Sequence, residues 1–279
     1  MKNSKTDLKQ NTICNILIFD SGLGGLSIYK KIKNYFPYAN YIYAFDNEKF
    51  PYGNKKESFI ITRCLKIIYS ISNIINITIA IVACNTASIT SLPTLQHYFN
   101  FPIIGIIPNI KKAVKITKNN IIGLLATKTT INNYNIQRTI SSLSPNFIIK
   151  TLHNENLVKI AEKKLKYNFT ELKLINNILK PWYLTKNKPD TIILGCTHFY
   201  FLKNEIRHLF SKNINIIDSN INISKKIWSI LKNNIVRNEN IAFFSKSIKN
   251  DISLLSLFNK YKFLKFSKLN LKLNIFFNS

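Results

Sequence analysis

Two cysteines stand in matching surroundings. The apolar run AIVACNTAS (80–88) ends in Cys84-Asn85-Thr86, and TIILGCTHFY (191–200) ends in Cys196-Thr197-His198. A thiolate is a nucleophile or a base. Nucleophilic thiol chemistry needs one cysteine with a base beside it; two in like settings point elsewhere. With one thiol on each face of a bound substrate, one thiolate takes a proton from carbon. The opposite thiol returns a proton to the other face, and the net result is inversion of a stereocentre. A free thiol has a pKa of about 8.5, so each needs assistance near neutral pH. Asp20 is the candidate assistant for Cys84, and His198 for Cys196, with Glu162 a further candidate on the second side.

The polar neighbours fit a small zwitterionic or anionic substrate. Ser21, Asn85, Thr86 and Thr197, with backbone N–H groups at helix N-termini, can hold a carboxylate or an ammonium. Tyr52 and Gly53 add a hydroxyl and a close backbone approach. Cys14 and Cys64 read as small buried hydrophobes. The four cysteines match neither a disulfide framework nor a CxxC zinc site. DSGLGG (20–25) is neither GxGxxG nor a P-loop. His97, His153 and His208 read as surface or packing residues.

The elements that must position these groups are short apolar strands alternating with helices. ICNILIF (13–19) leads through DSGLGG into a helical pattern, and YIYAF (41–45) into a turn-rich loop. A helix at 57–75 precedes the strand ITIAIVA (77–83). A further helix leads to FPIIGII (101–107). The pattern then repeats: strand 121–127, helix 131–142, strand 147–152, a long helical stretch 155–184, strand 190–196, helix 199–210 and strand 214–218. Near-continuous apolar strands separated by helices argue for parallel α/β sheets. Asp20 precedes Cys84 by nearly the same interval as Thr127 precedes Cys196, so the chain reads as two similar α/β halves. In open α/β sheets chemistry sits beyond the C-terminal strand ends, where both cysteines stand. The stretch from about 221 onward is poor in motifs. Its start reads as a helix returning to the first half, its last dozen residues as frayed or drifted.

The 279 residues carry a net charge of +27, but 36 of the 40 basic residues are lysines and only four are arginines. The lysines are spread along the chain beside abundant Ile and Asn, as compositional drift produces. A nucleic-acid protein would favour arginine for phosphate and base contacts. The polar N-terminus lacks an apolar signal segment, and 67–81 is too broken by polar residues for a membrane span. The expectation is a cytoplasmic protein with no nucleic acid as primary partner and no membrane partner.

FDSGLGG, AFDNEKFPYGNK, ACNTAS, FPIIGIIP, GLLAT and LGCTHF, in this order and spacing, resemble the glutamate racemases of the aspartate/glutamate racemase family, over residues 15 to about 225. The resemblance implies two mostly parallel α/β domains related by a pseudo-twofold axis, with the active site at their interface. On that pattern the first domain takes 13–108 with about 221–279, the second 109–220. It implies racemisation of glutamate by two-thiol 1,1-proton transfer, with no metal and no cofactor, supplying D-glutamate for peptidoglycan. The two catalytic cysteines fall on Cys84 and Cys196, and substrate-binding residues on Asp20, Ser21, Tyr52, Gly53, Asn85, Thr86, Thr197 and His198. The acidic helper falls on Glu162. The family implies a homodimer and leaves activation by a peptidoglycan precursor open. Aspartate racemases and arylmalonate-decarboxylase-like lyases of the same superfamily are alternatives, the latter disfavoured by two cysteines. Departures from the pattern are Thr129, Tyr200 and Asn220.

Overall fold

IAIV and TIILG are buried along their whole length and NILIFD from its second residue on, which suits strands covered on both faces. The computed structural model describes residues 14–210, 213–219, 223–231 and 240–271. In chain order the elements begin β1 (Asn15–Asp20), α1 (Leu26–Lys33), β2 (Asn40–Phe45), α2 (Glu57–Ser72), β3 (Ile79–Val82), α3 (Asn85–Tyr98) and β4 (Ile103–Gly105). They continue α4 (Ile110–Ile116), β5 (Ile121–Ala126), α5 (Lys128–Asn132), α6 (Tyr134–Ser141), β6 (Ile148–Leu152), α7 (Glu155–Tyr167), α8 (Leu172–Tyr183) and β7 (Thr191–Gly195). A 3-10 helix (Thr197–Leu202) precedes α9 (Lys203–Phe210), β8 (Asn215–Asp218), α10 (Ile223–Ile230), β9 (Ile241–Phe244), α11 (Ile252–Lys260) and β10 (Lys265–Lys268).

Two parallel sheets result. The first runs β10-β9-β2-β1-β3-β4, the second β6-β5-β7-β8. Without β9 and β10, the two share one order: the second strand at one side, then the first, third and fourth. Successive side chains of a strand point to opposite faces. So Ile16 and Ile18 of β1 join one apolar layer while Leu17 and Phe19 join the other. In the second sheet Ile192 and Leu194 of β7 face one layer and Ile193 the opposite one. Each such side chain contributes roughly 1.5–3 kcal/mol on burial.

Three stretches differ from the expectation read in the sequence. The long helix over 155–184 is two helices: α7 ends at Asn168, whose φ of 53° is left-handed, a conformation asparagine tolerates. The helix over 131–142 is also two, α5 and α6, separated by extended Asn133, whose side chain accepts from the Asn135 N–H and caps α6. The motif-poor C-terminal stretch supplies β9 and β10, both parallel additions to the first sheet beyond β2. β9, IAFF, is apolar throughout and sends side chains into both layers, whereas β10, KFSK, is the polar edge strand with both lysines exposed. Among the described residues no helix is long and apolar enough to cross a membrane.

Candidate active site

Cys84 and Cys196 occupy equivalent places. Cys84 follows β3 and stands at the N-terminus of α3; Cys196 follows β7 and precedes the 3-10 helix. Both are buried free thiols. They line one cavity with Ser21, Tyr52, Gly53, Thr86 and His198. The cavity therefore lies between the C-terminal strand ends of the two sheets.

The first thiol has Ser21 as its direct side-chain neighbour, with Oγ 3.6 Å from Sγ. Burial pushes the Cys84 thiol well up, and the negative charge of Asp20 pushes it further, against a backbone hydrogen bond from Ala87. Asp20 is itself fully buried. Its Oδ1 accepts the Gly22 N–H at 2.9 Å and its Oδ2 the Thr197 hydroxyl at 2.9 Å. Burial raises the Asp20 carboxyl above its ordinary range, with the positive charge of His198 opposing.

The second thiol has a base beside it. Cys196 Sγ lies 3.8 Å from His198 Nδ1, and His198 Nε2 lies 3.2 Å from Glu162 Oε1. Burial works to lower the pKa of His198, but Cys196 and Glu162 together raise it well above its ordinary value. The first half's glycine loop closes over this pair: the Leu23 N–H donates to Glu162 Oε1 at 2.9 Å, the Gly24 N–H to His198 Nε2 at 3.2 Å. A Cβ on Gly24 would fall 2.6 Å from His198 Nδ1, so the loop needs glycine there to come this near. The imidazolium form gives its Nε2–H to Glu162; only the neutral form protonated at Nδ1 can accept from Gly24.

The remaining expected residues divide into wall and support. Ser21, Tyr52, Gly53 and Thr86 line the cavity, whereas Asp20, Asn85, Thr197 and Glu162 stand behind its wall. Asn85 Nδ2 donates to Ser219 Oγ at 3.0 Å, while its buried Oδ1 finds no donor among the described residues. Thr86 Oγ1 meets Thr127 Oγ1 at 2.8 Å across the two halves. The Tyr52 hydroxyl, expected to face substrate, donates instead to Asp46 Oδ2 at 2.7 Å. Of the three departures, Thr129 forms a bond between the halves, its hydroxyl donating to the Gly53 carbonyl at 2.9 Å. Tyr200 lies in the 3-10 helix, its carbonyl accepting the Lys203 N–H. Asn220 lies outside the described residues.

Lining residues that the sequence reading did not place at the site are Pro51, Thr127, Lys128, His153, Asn154, Glu155 and Val158. His153, read there as surface or packing, is exposed at the cavity rim. Most of them directly follow β5 or β6, so the strand-end rule that located the thiols also marks these loops. No group of three or more His, Cys, Asp or Glu is placed to hold a metal ion among the described residues.

Residues 16–222 match the family described as Asp/Glu/Hydantoin racemase. A glutamate racemase of Buchnera aphidicola subsp. Schizaphis graminum is 49% identical, covering 92% of this chain and all of its own. One from Photorhabdus laumondii is 39% identical, covering 95% of this chain and 93% of its own. Among solved structures, Escherichia coli glutamate racemase in complex with L-glutamate and the activator UDP-MurNAc-Ala superposes with a TM-score of 0.87 at 37% identity. It covers 92% of this chain and 98% of its own.

Proposed function

The chain belongs to the Asp/Glu/Hydantoin racemase family, and on that premise we propose that it interconverts L- and D-glutamate without a cofactor, through two thiols. Membership makes it an amino-acid racemase, an isomerase. One observation carries the mechanism: two buried thiols, each at the end of an equivalent strand of its own sheet, line a single cavity. A substrate α-carbon between them has a thiol on each face. The thiolate on one face removes the α-proton, the carbanion-like species holds the pair at carbon, and the opposite thiol delivers its proton.

Each side prepares its thiol differently. Cys196 passes its proton toward His198, whose positive form Glu162 stabilises. Cys84 is hydrogen-bonded by Ser21, and Asp20 acts from behind the wall through Thr197 and the glycine loop. Thr86 and Gly53 contribute a hydroxyl and a backbone edge to the cavity. Asn85 and Thr197 brace the two halves of the wall.

The likeness to the relatives supports a wider role. D-Glutamate made in the cytoplasm would supply peptidoglycan synthesis, and a peptidoglycan precursor of the kind bound by the Escherichia coli protein would activate the enzyme. The working unit would be a homodimer. We assign 13–108 with about 221–279 to one domain and 109–220 to the other.

The deciding experiment is proton NMR of the protein in D₂O with L-glutamate and, separately, L-aspartate. Loss of the glutamate α-proton signal, with D-glutamate on chiral analysis, is the expected result. Exchange of aspartate alone would replace the substrate. Exchange of neither, with the precursor added, would refute the reading.

A further inference from the structure

Asp46 follows β2 directly and is fully buried, yet it touches neither thiol nor cavity. Its carboxylate accepts four side-chain donors. Tyr52 Oη and Arg63 Nε reach Oδ2, each at 2.7 Å; Arg63 Nη2 reaches Oδ1 at 2.8 Å and Ser245 Oγ at 2.6 Å. Its carbonyl accepts the N–H groups of Lys49 and Phe50, and its own N–H donates to the Asp20 carbonyl at 3.2 Å. Every hydrogen-bonding group of Asp46 is thus committed to the loop 46–53, to α2, to the glycine-loop strand or to the segment after β9.

Ser245 comes from the segment that the sequence reading left without a role. Besides Asp46, its hydroxyl accepts the Glu48 N–H at 3.0 Å, and its N–H donates to Asn47 Oδ1 at 3.1 Å. The Asn47 side-chain amide returns a bond to the Lys246 carbonyl at 2.7 Å. The C-terminal strand therefore grips the start of the loop whose end, Pro51-Tyr52-Gly53, forms a wall of the cavity. Gly53 carries the grip onward, since its carbonyl accepts both the Thr129 hydroxyl and the Thr129 N–H.

Buried ion pairs add little net stability over a well-packed apolar cluster. Their better-attested use is to hold one arrangement against its alternatives. We propose that Asp46, clamped by Arg63 and Ser245, is a positioning residue for the racemisation pocket: through the Tyr52 hydroxyl it fixes the Pro51–Gly53 wall that receives the substrate. The proposal rests on the functional reading above. It explains why the Tyr52 hydroxyl points away from the cavity it lines.

The test combines kinetics with amide hydrogen exchange on Tyr52→Phe, Ser245→Ala and Asp46→Asn. Tyr52→Phe should raise KM for glutamate about tenfold and change kcat no more than about twofold, the pattern of lost binding shared by ground and transition states. Ser245→Ala, which touches no part of the cavity, should raise KM about threefold and speed exchange over residues 46–55 about tenfold, leaving β1 and β5 unchanged. A lower melting temperature with unaltered KM in both would make the cluster merely structural and overturn the proposal. So would a KM change without faster loop exchange. Should Asp46→Asn fail to fold, the other two variants still decide. A wild-type protein inert toward glutamate and aspartate is a failure of the functional reading. In that case unaccelerated loop exchange in Ser245→Ala overturns the tether by itself.

Discussion

Cys84 and Cys196 hold the same place in two sheets of the same strand order, yet their company differs. Cys84 has a hydroxyl and a nearby carboxylate, and burial with the Asp20 charge holds it as a thiol. Cys196 has an imidazole at 3.8 Å that a second carboxylate keeps basic. Topology decides where a thiol stands; the loops behind it decide which groups surround it. On the proposed two-thiol mechanism the two proton transfers are therefore unequal, although the two enantiomers of the substrate are equal in energy.

The severest way to break the comparison is to remove either sulfur. Cys84→Ser and Cys196→Ser should each lower racemisation by at least about 100-fold, because a hydroxyl ionises far less readily than a thiol and so cannot supply the anionic base. A near-normal rate in either single variant would sink the two-thiol scheme. His198→Asn comes next, with a loss of about 10- to 100-fold in kcat/KM. The equilibrium constant between enantiomers is unity, so this loss must be the same in both directions. The side affected appears instead in the primary deuterium isotope effect, which should rise for the enantiomer that Cys196 deprotonates and fall for the other. Equal changes for both would make His198 an orienting group only.

Glu162→Gln sharpens the contrast more gently. Its carboxylate helps raise the pKa of His198, so the imidazole titration followed by NMR should move down in the variant. An unmoved titration would remove Glu162 from the relay. The same shift makes a stability prediction. Below its ordinary pKa of 6.5 His198 is protonated in both folded and unfolded chains, and its contribution is complete. Above that value the unfolded chain gives up its proton first, and the contribution fades as pH rises through the raised folded value. The wild-type melting temperature should therefore decline above pH 6.5, and less steeply in Glu162→Gln. A second decline should begin near pH 9.0. Burial raises the thiols Cys14 to about 11 and Cys64 to about 12, and Cys84 is raised as well, so unfolding is favoured once free thiols ionise. Melts that stay flat from pH 9 to 11 would contradict this burial.

The alternation of apolar runs and helices made both sheets legible, because strands covered on two faces need unbroken apolar sequence. The two thiols were legible for the same reason, standing where such runs stop. The pairing of Cys196, His198 and Glu162 was within reach, since a helix and a strand end bring them together. Asp46 was not. Its meaning comes from Arg63 and Ser245, the latter 199 residues away, and no local pattern announces a bond of that span. β9 and β10 were obscured because each is only four residues long, IAFF and KFSK, set in surroundings rich in Lys and Asn that resemble drifted sequence. The break at Asn168 was hidden by the apolar periodicity that continues on either side of it.

The place of β9 in the first sheet also bears on how the chain is made. β9 pairs with the outer edge of β2, with Ile42 opposite Ile241. On the ribosome β2 is finished long before its partner exists, and the whole second sheet is synthesised in between. Through that interval an apolar strand edge stands unpaired, the condition that invites strand exchange between nascent chains. Ser245 arrives directly behind β9, so the grip on the pocket loop is among the last parts of the molecule to form. A growing chain then carries both thiols well before it carries a finished pocket, and the strand that shields the edge also completes the enzyme.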